Sequence, residues 1–135
     1  MLAALLALPG AAFAECLINI IDVSFGGYDP FSPTSTDITG SVSMNCDADT
    51  SVQVSLSAGF GPFATRQMKS GPASLFYNLY TDASHLTIWG DGSPGTSLVS
   101  LSGVSGSHTV YGRIPAGQNV PVGTYGDTIT VTLTF

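Results

Sequence analysis

The sequence predicts an all-β domain built from two packed antiparallel sheets. Three observations point there. Apolar residues alternate with Ser, Thr and Gln along three stretches. Turn signals recur between them, with 16 Gly and 8 Pro in 135 residues. Charged residues make up 9% against 44% apolar, so there is enough apolar material for a core and little to solvate a long helix. The length fits one domain, which at this size buries roughly two-thirds of its unfolded surface.

The clearest strand runs over residues 37–46. Ile38, Val42, Met44 and Cys46 occupy one face, and Thr39, Ser41, Ser43 and Asn45 the other. Residues 51–57 repeat the pattern with Val52, Val54 and Leu56. Residues 128–135 repeat it with Ile129, Val131, Leu133 and Phe135 between threonines. A period of two places each apolar set on one face of a sheet. β-Branched threonines on the wet face favour strand over helix. Weaker strands are expected over 17–25, 75–80, 86–89, 98–101 and 109–114; the first is nearly continuous in apolar residues and reads as covered on both faces. Gly26-Gly27-Tyr28-Asp29-Pro30, Gly71-Pro72, Gly90-Asp91-Gly92 and Pro115-Ala116-Gly117 supply turns.

Residues 1–14 form an apolar run ending in Ala12-Phe13-Ala14, the A-x-A form of a signal-peptidase site, with the domain proper over 15–135. The run is shorter than the roughly 20 apolar residues that span a bilayer, so no membrane insertion is expected after cleavage. No positive charge precedes it, which suggests a natural start further upstream; the other reading is an apolar N-terminal strand. Cys16 and Cys46 are an even pair in an exported chain and read as a disulfide. Closing that loop removes about 3.5 kcal/mol of unfolded-state entropy. A zinc site is the weaker reading, because there is no CxxC spacing.

The net charge of −6, with three basic residues, lacks the cationic footprint of a nucleic-acid binder and disfavours acidic lipid surfaces. Gly90-Asp91-Gly92-Ser93-Pro94-Gly95 matches GxGxxG, but Pro94 and a following strand pattern make it a hairpin turn rather than a dinucleotide loop. His85 and His108 have no marked nucleophile beside them and read as surface or cross-strand residues, so no catalytic residue is expected. Asp47-Ala48-Asp49-Thr50-Ser51 has alternate oxygens but lacks the Gly and distal Glu of a calcium loop, and reads as a turn. No cofactor or metal is expected. Phe31, Phe60 and Phe63 sit in Pro/Gly-rich segments; they either tuck under their loops or form an exposed apolar patch for binding.

Several words, in order, resemble one family. They are Cys16 followed by Val23-Ser24-Phe25-Gly26-Gly27-Tyr28, Val42-Ser43-Met44-Asn45-Cys46, Arg66-Gln67-Met68, Leu75-Phe76-Tyr77-Asn78-Leu79-Tyr80, Trp89-Gly90-Asp91-Gly92, and 110–118 running into 123–128 and 131–135. Together they resemble the spore coat protein U domain family, which includes the Csu-type pilins of archaic chaperone–usher systems. The resemblance covers nearly all of 16–135. It implies an immunoglobulin-like sandwich lacking its last strand. A periplasmic chaperone would first lend that strand, and the N-terminal extension of a neighbouring pilus subunit would then replace it, with an outer-membrane usher as a further partner. Ile129, Val131, Leu133 and Phe135 would border the groove and add to the core, with the Phe135 carboxylate suited to a basic anchor on the chaperone. It further implies export to a surface fimbrium, a role in adhesion or biofilm formation, and Phe31, Phe60 and Phe63 as adhesive loop tips. One departure stands out: Glu15 alone separates the expected cleavage site from Cys16, too short for a donor strand. That suits a tip or cap subunit, or the first domain of a longer adhesin whose sandwich is complete by itself. The alternative is a stand-alone secreted coat or matrix module.

Overall fold

A computed structural model describes residues 15–135; the expected signal segment, 1–14, lies outside the described residues. The strands are β1 (Cys16–Ile21), β2 (Gly27–Tyr28), β3 (Thr36–Leu56), β4 (Arg66–Ser70), β5 (Ala73–Tyr80), β6 (Ile88–Trp89), β7 (Thr96–Ser97), β8 (Val99–Ile114), β9 (Gly123–Thr124) and β10 (Val131–Thr134), with one 3-10 turn at Phe63–Thr65. The fold is the expected all-β, immunoglobulin-like sandwich. The hydrogen-bonded path β10-β3-β8-β5-β6-β7 is continuous; β1 branches from β3, β4 from β5, and β2 and β9 form a separate pair. All pairings are antiparallel except β6 with β7.

The frame is the long β3–β8 hairpin. The two strands expected at 37–46 and 51–57 are one strand, and so are those expected at 98–101 and 109–114. The residues read as a turn, Asp47 to Ser51, instead carry a bulge. Asn45 faces Ser105 and Thr50 faces Gly103, so four residues, 46–49, stand opposite Val104 alone. Such an irregularity lets a strand change direction without leaving its ladder. Gly103 takes φ 104°, backbone that side chains avoid. On both sides of the bulge the even-numbered residues point inward: Val42, Met44 and Cys46, then Val52, Val54 and Leu56, are all buried. They pack with Leu75, Tyr77, Leu79, Trp89, Val99, Leu101, Val110 and Ile114 as one core.

Two buried polar groups tie β4, β5, β6 and the end of β3 together. Trp89 donates its indole N–H to Val54 O at 3.0 Å. Arg66, fully buried, spends its fork on neutral acceptors: Nε (3.1 Å) and one terminal nitrogen (2.7 Å) on Ser57 O, that nitrogen also on Trp89 O (2.7 Å), and the other on Asn78 Oδ1 (3.0 Å). Phe63 covers the guanidinium at 5.4 Å. Burial lowers the Arg66 pKa, but the group stays charged at any working pH. β4, β2 and β9 had no strand signal in the sequence. The GxGxxG segment joins two short parallel strands, β6 and β7, not a hairpin, and no helix follows it.

Candidate functional site

A groove of about 660 Å³ opens along one side of the sandwich. β8 occupies one edge of β3 throughout, so β1 and β10 both lie along the other, against residues 41–46 and 53–56. The groove runs between them. Ile20, Val23 and Phe25 form one wall; Tyr125, Asp127, Ile129 and Val131 form the other; the buried Val42, Leu56, Met68, Tyr77, Leu79 and Val110 form the floor. No described strand pairs with the outer edge of β1 or of β10.

The exposure of β1 shows what this side lacks. Ile18 faces Met44 and Ile20 faces Val42, so both point to the core side. Yet Ile18 is 39% exposed and Ile20 45%, while their partners are buried. The expectation that this segment is covered on both faces is therefore wrong: its core-facing Ile18 and Ile20 are partly open, Ile20 into the groove, and Leu17 and Ile21 are exposed on the other face. β1 also ends at Ile21, before Phe25.

Glycines let the first wall sit close. A Cβ on Gly40 would lie 2.3 Å from Ile21 O, and one on Gly112 2.7 Å from both Phe25 Cζ and Val23 Cγ1. Phe25 packs edge-on against Tyr77 at 6.0 Å. The Tyr77 hydroxyl donates to Asp127 Oδ2 at 2.7 Å. Burial, and then this bond, pushes the Tyr77 phenol well above its usual range. Asp127 also accepts from the backbone N–H of Phe60 (3.1 Å) and of Thr128 (2.8 Å). Ser57 and Thr130 bond reciprocally, so the second wall is tied to the Phe60 loop.

Of the residues expected at the groove, Ile129 and Val131 line it and are half-buried. Leu133 packs on the core but is not among the lining residues. Phe135 does not join the core: β10 ends at Thr134, and the ring beyond it is 69% exposed. Phe31 is 90% exposed in the loop before β3, and Phe60 is 61% exposed in the loop after it. Phe63 is half-buried over Arg66 and is no free tip. Cys16 and Cys46 are bonded, directly opposite each other on β1 and β3. The first wall at Val23 and Phe25, the floor and Asp127 were not singled out as groove residues. Alternation in β8 and the inward Tyr77 were the available signals.

The histidines are not a catalytic pair. His108 Nε2 donates to Thr81 O at 2.7 Å and stands edge-on to Trp89; His85 sits between Tyr80 and Tyr111 at φ 56°. Among the described residues no cluster of three or more His, Cys, Asp or Glu could hold a metal, and no helix is long and apolar enough to cross a membrane.

Comparison with known proteins places this geometry. A family model for the Spore Coat Protein U domain matches residues 2–132. A protein of Myxococcus xanthus named Protein U is 38% identical over 128 residues, spanning 84% of this chain and 71% of that protein. Among solved structures, the chaperone–tip adhesion subunit pre-assembly complex CsuC–CsuE, from the archaic chaperone–usher Csu pili of Acinetobacter baumannii, contains a similar chain. The TM-score is 0.68 at 28% identity over 91% of this chain. The match spans 40% of that chain's length.

Proposed function

Because the chain belongs to the Spore Coat Protein U domain family and is a structural chain rather than an enzyme, we propose that it is a subunit of a chaperone–usher surface fibre. Its groove between β1 and β10 receives a strand from a partner. The carrying observation is the exposure of core-facing Ile20 in the groove wall beside an apolar floor. A strand laid there would find unpaired backbone on the wall edges, and alternate side chains would enter the groove. Main-chain bonds would supply affinity and the floor would supply selectivity. An uncovered groove is an aggregation hazard, so a chaperone strand occupies it before the neighbouring subunit does. This role places the chain outside the cell membrane, reached through the periplasm and an usher, where a disulfide persists. Adhesion or biofilm formation is the fitting role of such a fibre, with Phe31 and Phe60 as its exposed loop aromatics.

The test is thermal unfolding of the purified chain with a synthetic peptide of about ten residues alternating Val and Thr, matched to a strand-length groove. At a hundredfold over Kd, binding adds about 2.7 kcal/mol and raises Tm. Val131→Asp, which places a charge in the wall, abolishes the gain. No rise in the unmodified chain, together with a stable monomer indifferent to a periplasmic chaperone, counts against this role and favours a stand-alone coat or matrix module.

A further inference from the structure

The outer edges of β1 and β10 are open, but another edge is closed by a side chain. β8 pairs with β5 in the register Asn78–Arg113, Leu79–Gly112 and Tyr80–Tyr111. Continued by two residues, that register would set Phe76 against Pro115, which has no N–H to give. The β5–β8 ladder stops at Asn78–Arg113, and β8 itself ends at Ile114. Phe76 keeps a partner on its other side, Gln67 of β4, but its second edge faces out beside a half-exposed ring. An apolar edge of this kind invites pairing with another chain.

The primary amide of Gln118 fills the missing rung. Its Oε1 accepts from Phe76 N–H at 2.8 Å, and its Nε2 donates to Phe76 O at 2.8 Å. Nε2 also donates to Pro115 O at 3.2 Å, the carbonyl of the residue it replaces. One amide thus makes both bonds that a facing strand residue would make. The group is held in place: Gln118 N–H donates to the Tyr28 hydroxyl at 3.3 Å, and Gln118 O accepts from Val120 N–H at 3.0 Å. The outer edge of β4 is likewise met, by the reciprocal Lys69–Gly126 bridge.

We propose that Gln118 is a specificity-determining residue for strand addition: by occupying the β5 edge at Phe76, it restricts an incoming strand to the groove between β1 and β10. The inference rests on the strand-receiving role above.

The test compares the unmodified chain with Gln118→Ala and Gln118→Glu, the latter keeping an acceptor for Phe76 N–H but turning a second oxygen toward Phe76 O. Hydrogen exchange, sedimentation and titration with the Val/Thr peptide are measured on each. The unmodified chain binds one peptide, protecting amides 129–134. In Gln118→Ala the Phe76 amide exchanges about tenfold faster, as loss of one bond implies, while Gln118→Glu keeps that bond and loses only the one to Phe76 O; both variants leave the edge incompletely filled. They also bind a second peptide protecting 74–77, or dimerise through that edge. Variants that stay monomeric and bind a single peptide, with Phe76 exchange unchanged in Gln118→Ala, overturn the assignment. If the peptide fails to protect 129–134 in the unmodified chain, the fibre role fails. Phe76 exchange and self-association of the variants then still decide the role of Gln118.

Discussion

Arg66→Met tests whether a buried charge with no carboxylate partner holds β4 to β5, β6 and the end of β3. The guanidinium is fully buried and donates to Ser57 O twice, to Trp89 O and to Asn78 Oδ1. Methionine fills much of the stem's volume, so the change is chiefly the loss of donors. Ser57 O and Trp89 O lose their guanidinium partners, while Asn78 Oδ1 keeps the Leu79 N–H at 2.9 Å. A buried acceptor left unpaired costs about 1–3 kcal/mol, so the two cost about 2–6 kcal/mol. Relief of the guanidinium's desolvation offsets part of this. The expected net loss is about 3 kcal/mol, a fall in Tm on the order of 10 °C for a domain of this size. Arg66→Lys is expected to lose at least as much, since an ammonium keeps the buried charge but cannot span the fork. Denaturant unfolding of the disulfide-bonded chain, with the groove peptide held at one concentration, gives both numbers. A Met variant as stable as the unmodified chain would refute the reasoning and make Arg66 a buried liability.

Other outcomes follow from the same geometry. Cys46→Ser, read by non-reducing mass analysis and unfolding, is expected to cost about 3.5 kcal/mol and to lower the exported amount, because β1 has a strand partner on one edge alone. Gly112→Val drives side-chain atoms into Phe25 and Val23; it should cost about 1–3 kcal/mol and weaken peptide binding, which calorimetry would report. Tyr77 gives a pH dependence. Its pKa is raised in the folded chain, so the stability it contributes is complete below the ordinary phenol value of about 10 and is lost as pH climbs toward the folded value. Tyr77→Phe should remove that alkaline dependence, and a profile unchanged by the substitution would deny the cause.

The strongest strands were readable because Thr and Ser marked their wet faces, as at Thr39, Ser41 and Ser43. The continuity of β8 was not, because Gly103 and Gly106 break the apolar period where the strand lies opposite the bulge. β4 was hidden for another reason. Arg66 and Lys69 resemble a solvated segment, and only the carbonyls converging on Arg66 make it an interior residue. The groove was half legible. Alternation pointed Ile129 and Val131 inward, but it could not show that the order ends before Phe135, nor that β1, the most apolar stretch of the domain, is open on its core side.

The sulfur bridge sits at the very first residue of β1, opposite the bulge of β3. Tension applied at the start of the domain, at Glu15, therefore enters β3 through a covalent link before it reaches residues 17–21. Those residues lie off the load path, and their hydrogen bonds to β3 are not the ones that must resist a pull. A wall of the groove can stay seated while the chain beside it is stretched.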